Sequence, residues 1–150
     1  MWSFKKNGSQ SIGRSRGGLT TKIHMMAAND RKAVDFILSE GQFHDAPYGR
    51  ILMENVGKVK SIIALVMDKA YQDALTCYVA QCLNFKPVVP PKSNHKNPWE
   101  YDKSLYKRRN EIERLFRRLD GFRRVFVSFE KLDIMYVGFI KLALIYLTIK

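Results

Sequence analysis

Apolar positions along the 150-residue chain change their spacing several times, and each change marks an element. Leu19, Thr21, Ile23 and Met25 alternate loosely, which predicts a strand over 19–27. Asn29-Asp30-Arg31-Lys32 reads as a turn, because Asn and Asp tolerate left-handed backbone. Ala33 to Leu38 resumes as a second strand, so 19–38 is expected to be an antiparallel hairpin. Ser39 to Gln42 breaks it, and His44 to Val56 follows as a helix with Asp45 as N-cap and Pro47 near its start.

The run Ile62 to Met67 is continuously apolar, as in a central strand covered on both faces, and it ends in Asp68. Tyr71 to Leu83 reads as a helix with Ala74, Leu75, Tyr78, Val79 and Cys82 on its apolar face. Lys86 to Val89 is a short strand stopped by Pro90-Pro91, and Lys92 to Tyr101 is a loop. Ser104 to Leu119 carries the strongest helical stripe (Leu105, Ile112, Leu115, Phe116, Leu119), with Gly121 ending it. Arg123 to Phe129 is ambiguous by pattern, and a last helix follows. Strands and helices interleave, which places the chain in the α/β class around a mixed sheet.

Composition sharpens this picture at three points. Hydrophobic residues make up 46%, too many for a disordered basic tail and enough for one domain with a real core. Leu132 to Ile149 is the one membrane candidate, but Lys141 at its middle costs ~3 kcal/mol on insertion scales. A helix buried on most sides of a core is the expected reading, with no membrane partner. Cys77 and Cys82 match no zinc spacing and build no disulfide framework, which predicts two buried thiols in a reducing cytosol. Met1 to Arg16 has no apolar stretch of the kind a secretory signal needs.

The net charge of +12 is unevenly placed. Residues 1–24 carry five Lys or Arg and no acid, 25–91 balance at seven of each, and 92–124 carry eleven basic against five acidic. Residues 1–18, rich in Gly, Ser, Lys and Arg, read as a basic flexible arm ahead of a domain over 19–150. Charge this localised favours a polyanion, and nucleic acid is the expected partner. A solvated basic face without a partner is the plainer alternative.

Two features carry candidate chemistry. Asp68 stands at the carboxyl end of the apolar strand, where ligands and catalytic groups collect in open α/β sheets, although an acid there also serves as a helix N-cap. Tyr106, Arg109, Glu113 and Asp120 fall on one stripe of the helix from Ser104, which is either a solvated face or part of a site. A strand-end acid and a helix acid in a basic protein point to carboxylates holding a hard divalent cation beside phosphates. His24, His44 and His95 have no metal-ligand spacing and are expected to be surface or core residues. No Gly-rich phosphate loop or nucleophile elbow is present.

At these residues the chain resembles bacterial insertion-sequence DDE transposases of the insertion-sequence-five type, in the insertion-sequence-four-like family. The blocks carrying the resemblance are GRSRGGLTTKIH at 13–24, GQFHD at 41–45, MDKAY at 67–71, VVPPKSNHK at 88–96 and YKRRNEIERLF at 106–116. The resemblance implies a ribonuclease H-like mixed sheet with flanking helices, and DNA transposition by phosphodiester cleavage and strand transfer using Mg2+ or Mn2+. It makes Asp68 the second catalytic acid and Glu113 the third, both metal ligands, with Tyr106 and Arg109 as supporting signature. Arg14, Arg16, Lys22, Lys69, Lys92, Lys96, Arg109 and Arg117 are the expected contacts to DNA at the transposon ends.

The chain departs from the family pattern in places. Asp120 replaces the signature's final Lys, and His95 and Ser128 stand where the family tends to have Arg. The family's first catalytic Asp precedes the GRSRGG block, and here residues 1–12 contain no Asp or Glu. The expectation is therefore a C-terminal portion of a catalytic domain, truncated at its N-terminal strand and inactive by itself. The alternative is a non-enzymatic DNA-binding remnant, inert or interfering with a full-length relative. Self-association or pairing with such a relative, in a bacterial cytoplasm at the nucleoid, completes the expectation.

Overall fold

A computed structural model describes residues 10–127 and 132–150. Strands β1 (Gly13–Ser15), β2 (Gly18–Ala27) and β3 (Ala33–Glu40) form an antiparallel sheet in that order. Ile23 sits opposite Leu38 and Met25 opposite Phe36, with a register shift at Met26/Ala27. Asn29 Oδ1 accepts from the Arg31 and Lys32 amides and so closes the β2–β3 turn. A second sheet pairs β4 (Ile63–Val66) with β5 (Phe85–Val88) in parallel.

The helices are α1 (Asp45–Val56), α2 (Ala74–Cys82), α3 (Lys103–Tyr106), α4 (Asn110–Asp120), α5 (Arg123–Phe126) and α6 (Asp133–Ile149). Short 3-10 turns lie at Lys69–Tyr71 and Lys107–Arg109. The α/β class with both antiparallel and parallel pairing matches the sequence expectation.

Alternation along β2 sorts the core into two layers, since successive side chains leave a strand on opposite faces. Ile23, Met25 and Ala27, with Phe36 and Leu38 of β3, pack on Leu115 and Leu119 of α4 and Ile140, Ala143 and Leu144 of α6. Met26 points the other way, into Met53, Ala80 and Phe85 from α1, α2 and β5. Arg118 of α4 adds a polar tie to the turn, with Nη2 2.8 Å from Asp30 Oδ2. That hydrogen bond holds the Asp30 carboxyl below the usual range.

Several expectations are corrected. β1 shows that ordered pairing begins at Gly13, well inside the segment read as a flexible arm. Ser11 N donates to Asp133 Oδ2 and Asp133 N to Gln10 Oε1, fastening residues 10–11 to α6. His44, with extended backbone, and not Asp45 is the N-cap of α1, and the Asp45 carboxylate lies 2.8 Å from Lys22. β4 is not covered on both faces: Ile62 and Ile63 are exposed, and burial is reached only at Met67.

On α2, Thr76 and Ala80 are buried while Leu75, Tyr78 and Cys82 face outward, because the face meeting α1 and β5 lies elsewhere on the wheel. Cys77 is half-buried and Cys82 exposed, so the two thiols are not both core groups. The helix expected over 104–119 is interrupted by the 3-10 turn at Lys107–Arg109. No helix among the described residues is long and apolar enough to cross a membrane. α6 buries Tyr136, Ile140, Ala143, Leu144 and Leu147, but Ile134, Leu142, Ile145 and Ile149 remain exposed, so it is covered on one side rather than most. Residues 1–9, and Ser128 with the end of the ambiguous 123–129 segment, lie outside the described residues.

Leu115 has no exposed surface at the centre of the larger core. Leu115→Ala is expected to lower unfolding free energy by about 2–5 kcal/mol, read from urea denaturation, with little change in the slope against urea.

Candidate active site

Asp68 follows the last hydrogen bond of the β4–β5 pair, where Met67 N donates to Val88 O. Its Oδ1 accepts from Ala70 N at 3.1 Å, so it caps the 3-10 turn at Lys69–Tyr71. The two readings of this residue are therefore compatible. One carboxylate oxygen holds the turn, and the other, Oδ2, is turned to Arg109 at 3.1 Å.

Glu113 enters from the first turn of α4, where acidic groups suit the amide end of a helix. Its Oε1 lies 2.8 Å from the same Arg109 Nη1. Two carboxylates separated by 45 positions in the chain thus converge on a single guanidinium nitrogen. The oxygens can be no further apart than the two contacts laid end to end. Arg109 Cζ lies 5.8 Å from the Tyr106 ring centroid, and Tyr101 packs edge-on against Tyr106 at 5.5 Å. Tyr106, Arg109, Glu113 and Asp68 are accordingly one cluster. Asp120, at the exposed end of α4, is about 10 Å further along the helix axis and outside it.

A buried network stands behind Asp68. His24, on the α1 side of β2, is 2% exposed and stacks on Tyr48 at 4.8 Å. Its Nε2 is 2.7 Å from Ser39 Oγ and its Nδ1 3.2 Å from the Tyr71 hydroxyl. Ser39 Oγ also lies 3.4 Å from Glu40 O. Burial, then the Asp45 and Asp68 charges, pushes the Tyr71 hydroxyl above its ordinary value, so it stays protonated and able to donate. Gly49 makes room for this ring: a Cβ there would lie 2.6 Å from Tyr71 Cδ1. The network pins the turn that begins at Asp68 onto β2.

Beside this turn opens a cleft of about 620 Å3, lined by Lys22, Asp45, Arg50, Lys69, Asp73 and Lys92 among others. Lys22 is bound to Asp45 and to Phe43 O, and Arg50 to Asp73 at 3.3 Å. Lys69 and Lys92 are exposed and in no ion pair among the described residues. Arg14 and Arg16 are exposed on the β1–β2 hairpin, Lys96 in the loop after β5, and Arg117 on α4. One cleft thus gathers Lys22, Lys69 and Lys92, Arg109 pairs with Asp68 itself, and Arg14, Arg16, Lys96 and Arg117 lie outside both groups. His95 is exposed, with Nδ1 3.0 Å from Asn97 O and its ring edge-on to Trp99.

The sequence reading did not link His24 to Tyr71. Both stand in blocks that were singled out, but a hydrogen bond spanning 47 positions leaves no periodic trace. Among the described residues no group of three or more His, Cys, Asp or Glu side chains converges. Asp30, Asp35, Glu40 and Asp45 are engaged by Arg118, Asn55, Gln42 and Lys22 respectively.

A family model described as the transposase DDE domain matches residues 2–148, and the chain belongs to that family. The α/β arrangement is consistent with the ribonuclease H-like fold expected of such a domain. Among curated proteins and solved structures no match reaches significance.

Burial holds the His24 imidazole below its ordinary value, with Asp45 opposing and Lys22 assisting the shift. The unfolded chain therefore takes up the proton first as pH falls. The stability His24 supplies is present above its unfolded value of 6.5 and is lost as pH drops from there toward the folded value. Urea midpoints should fall between about pH 7 and pH 5, and His24→Gln should flatten that fall while lowering the midpoint at neutral pH.

Proposed function

We propose that this chain serves DNA transposition by supplying two carboxylates, Asp68 and Glu113, of a site for phosphodiester cleavage and strand transfer. The observation that carries the proposal is their convergence on Arg109 from distant elements. Membership of the transposase DDE family supports the reaction class, and such transposases generally use divalent metals.

The donor set fits a hard cation. Both groups offer carboxylate oxygen, both side chains are 41–50% exposed, and Mg2+ is commonly held by one or two carboxylates with water and substrate phosphate completing its shell. Bound there, the metal would activate the attacking hydroxyl and neutralise charge on the leaving oxygen. The chain's own residues do the rest. Asp68 and Glu113 hold the ion, and the His24–Tyr71 bond fixes the turn carrying Asp68. Lys69 and Lys92, with Lys22 at the cleft wall, meet the DNA backbone without reading sequence. The more distant Arg14, Arg16, Lys96 and Arg117 extend that contact along the duplex. Transposon ends are the substrate, and the nucleoid of a bacterial cytoplasm is the place of action.

Cleavage by this class of site normally draws on three carboxylates, and the described residues bring two together. We therefore take cleavage to require a further acid supplied to this pair, from another segment or a relative. Without it the chain acts as a DNA-binding partner.

Two results are expected. Duplex DNA binding should weaken steeply between about 50 and 200 mM salt with little sequence preference, measured by fluorescence anisotropy. Salt-independent binding would contradict phosphate contacts. Nicking of supercoiled plasmid by the chain alone should be undetectable with Mg2+ or Mn2+. Metal-dependent nicking abolished by Asp68→Ala would show instead that the chain carries a complete site, and Asp35 would be the next acid to replace.

A further inference from the structure

Arg109 does more at this site than line it. Its Nη1 contacts one oxygen from each acid, at 3.1 Å and 2.8 Å, and so stands where a cation shared by those oxygens would stand. Like charges brought this close repel, and the guanidinium offsets that repulsion. The side chain is held by a face-on contact to Tyr106, yet it is 31% exposed. Its backbone belongs to the 3-10 turn that interrupts the helix, at the junction of α3 and α4. At that exposure the side chain can leave the two acids without unpacking the core. Lys69, next to Asp68 in the chain, and Lys92 line a cleft open to a phosphodiester, whose oxygens would compete with the two acids for the guanidinium.

We propose that Arg109 is an internal counter-ion that competes with divalent metal for the Asp68–Glu113 pair, so that the pair holds metal weakly until Arg109 is drawn off by a phosphodiester. This rests on the reading of the two acids as metal-holding groups. It goes beyond that reading by giving Arg109 an opposing role in metal binding and a favourable one in DNA binding. Metal and DNA then help each other: DNA removes the competitor, and by linkage metal frees Arg109 for DNA.

The test is Mn2+ binding to the full chain without DNA, with free Mn2+ counted by electron paramagnetic resonance. Arg109→Gln removes the charge and keeps a polar side chain, and it should bind Mn2+ about tenfold more tightly than the native chain. Arg109→Lys keeps the charge and should bind close to the native value. In both chains the affinity should be lost on Asp68→Asn. Equal or weaker binding by Arg109→Gln, at a site still sensitive to Asp68→Asn, overturns the competition and leaves the metal-holding pair standing. Tighter binding by Arg109→Lys as well would show that charge is not the cause and also overturns it. Absence of any Asp68-dependent Mn2+ binding in either chain would overturn the pair and the proposal together.

Discussion

The arrangement depends on one constraint: β2 must satisfy both of its faces. Ile23, Met25 and Ala27 are committed to the core under α4 and α6, so the side chains between them emerge toward α1. A one-residue slip in register would send His24 into an apolar layer and Ile23 toward Tyr48. Because that register is fixed, His24 meets Ser39 across the hairpin and Tyr71 from the turn after β4. The same strand that organises the larger core thereby sets the position of Asp68. Packing and site geometry are two consequences of a single alternation.

Electrostatics decides the rest of the site. Asp68 spends one oxygen on its own turn and Glu113 sits at the amide end of α4, so each has an oxygen to offer. Arg109 gathers them. Tyr106 stands one 3-10 turn before Arg109, on the same side of the helical stretch, so its ring comes beside the guanidinium. On the other side of Asp68, most cleft charge is internally matched by the Lys22–Asp45 and Arg50–Asp73 pairs. What remains available is a narrow basic edge at Lys69 and Lys92.

Local pattern made the β2–β3 hairpin, α1, β5 and the α4 stripe legible in the sequence, because each has a clear period and chemically marked ends. It failed where tertiary context rules. The run 62–67 is as apolar as a central strand, yet Ile62 and Ile63 are exposed, since apolarity does not say what packs against a strand's faces. The α2 face was misassigned because Thr76 and Ala80, not the larger Leu75 and Tyr78, are the groups small enough for the contact with α1 and β5. For the site, position and spacing singled out Asp68, Arg109 and Glu113 as separate candidates. Their convergence on one nitrogen, and the His24–Tyr71 support, are long-range facts of the fold.

The central claim, that Asp68 and Glu113 form the two sides of one cation site, is tested most directly by iron-mediated cleavage of the protein backbone. Fe2+ bound in place of Mg2+, with ascorbate and peroxide, cuts the chain next to the residues that hold it. The account predicts two cuts, one near Asp68 and one near Glu113, both suppressed by excess Mg2+ and both lost in Asp68→Asn. Cuts beside one acid and not the other, or a pattern untouched by Asp68→Asn, would contradict it.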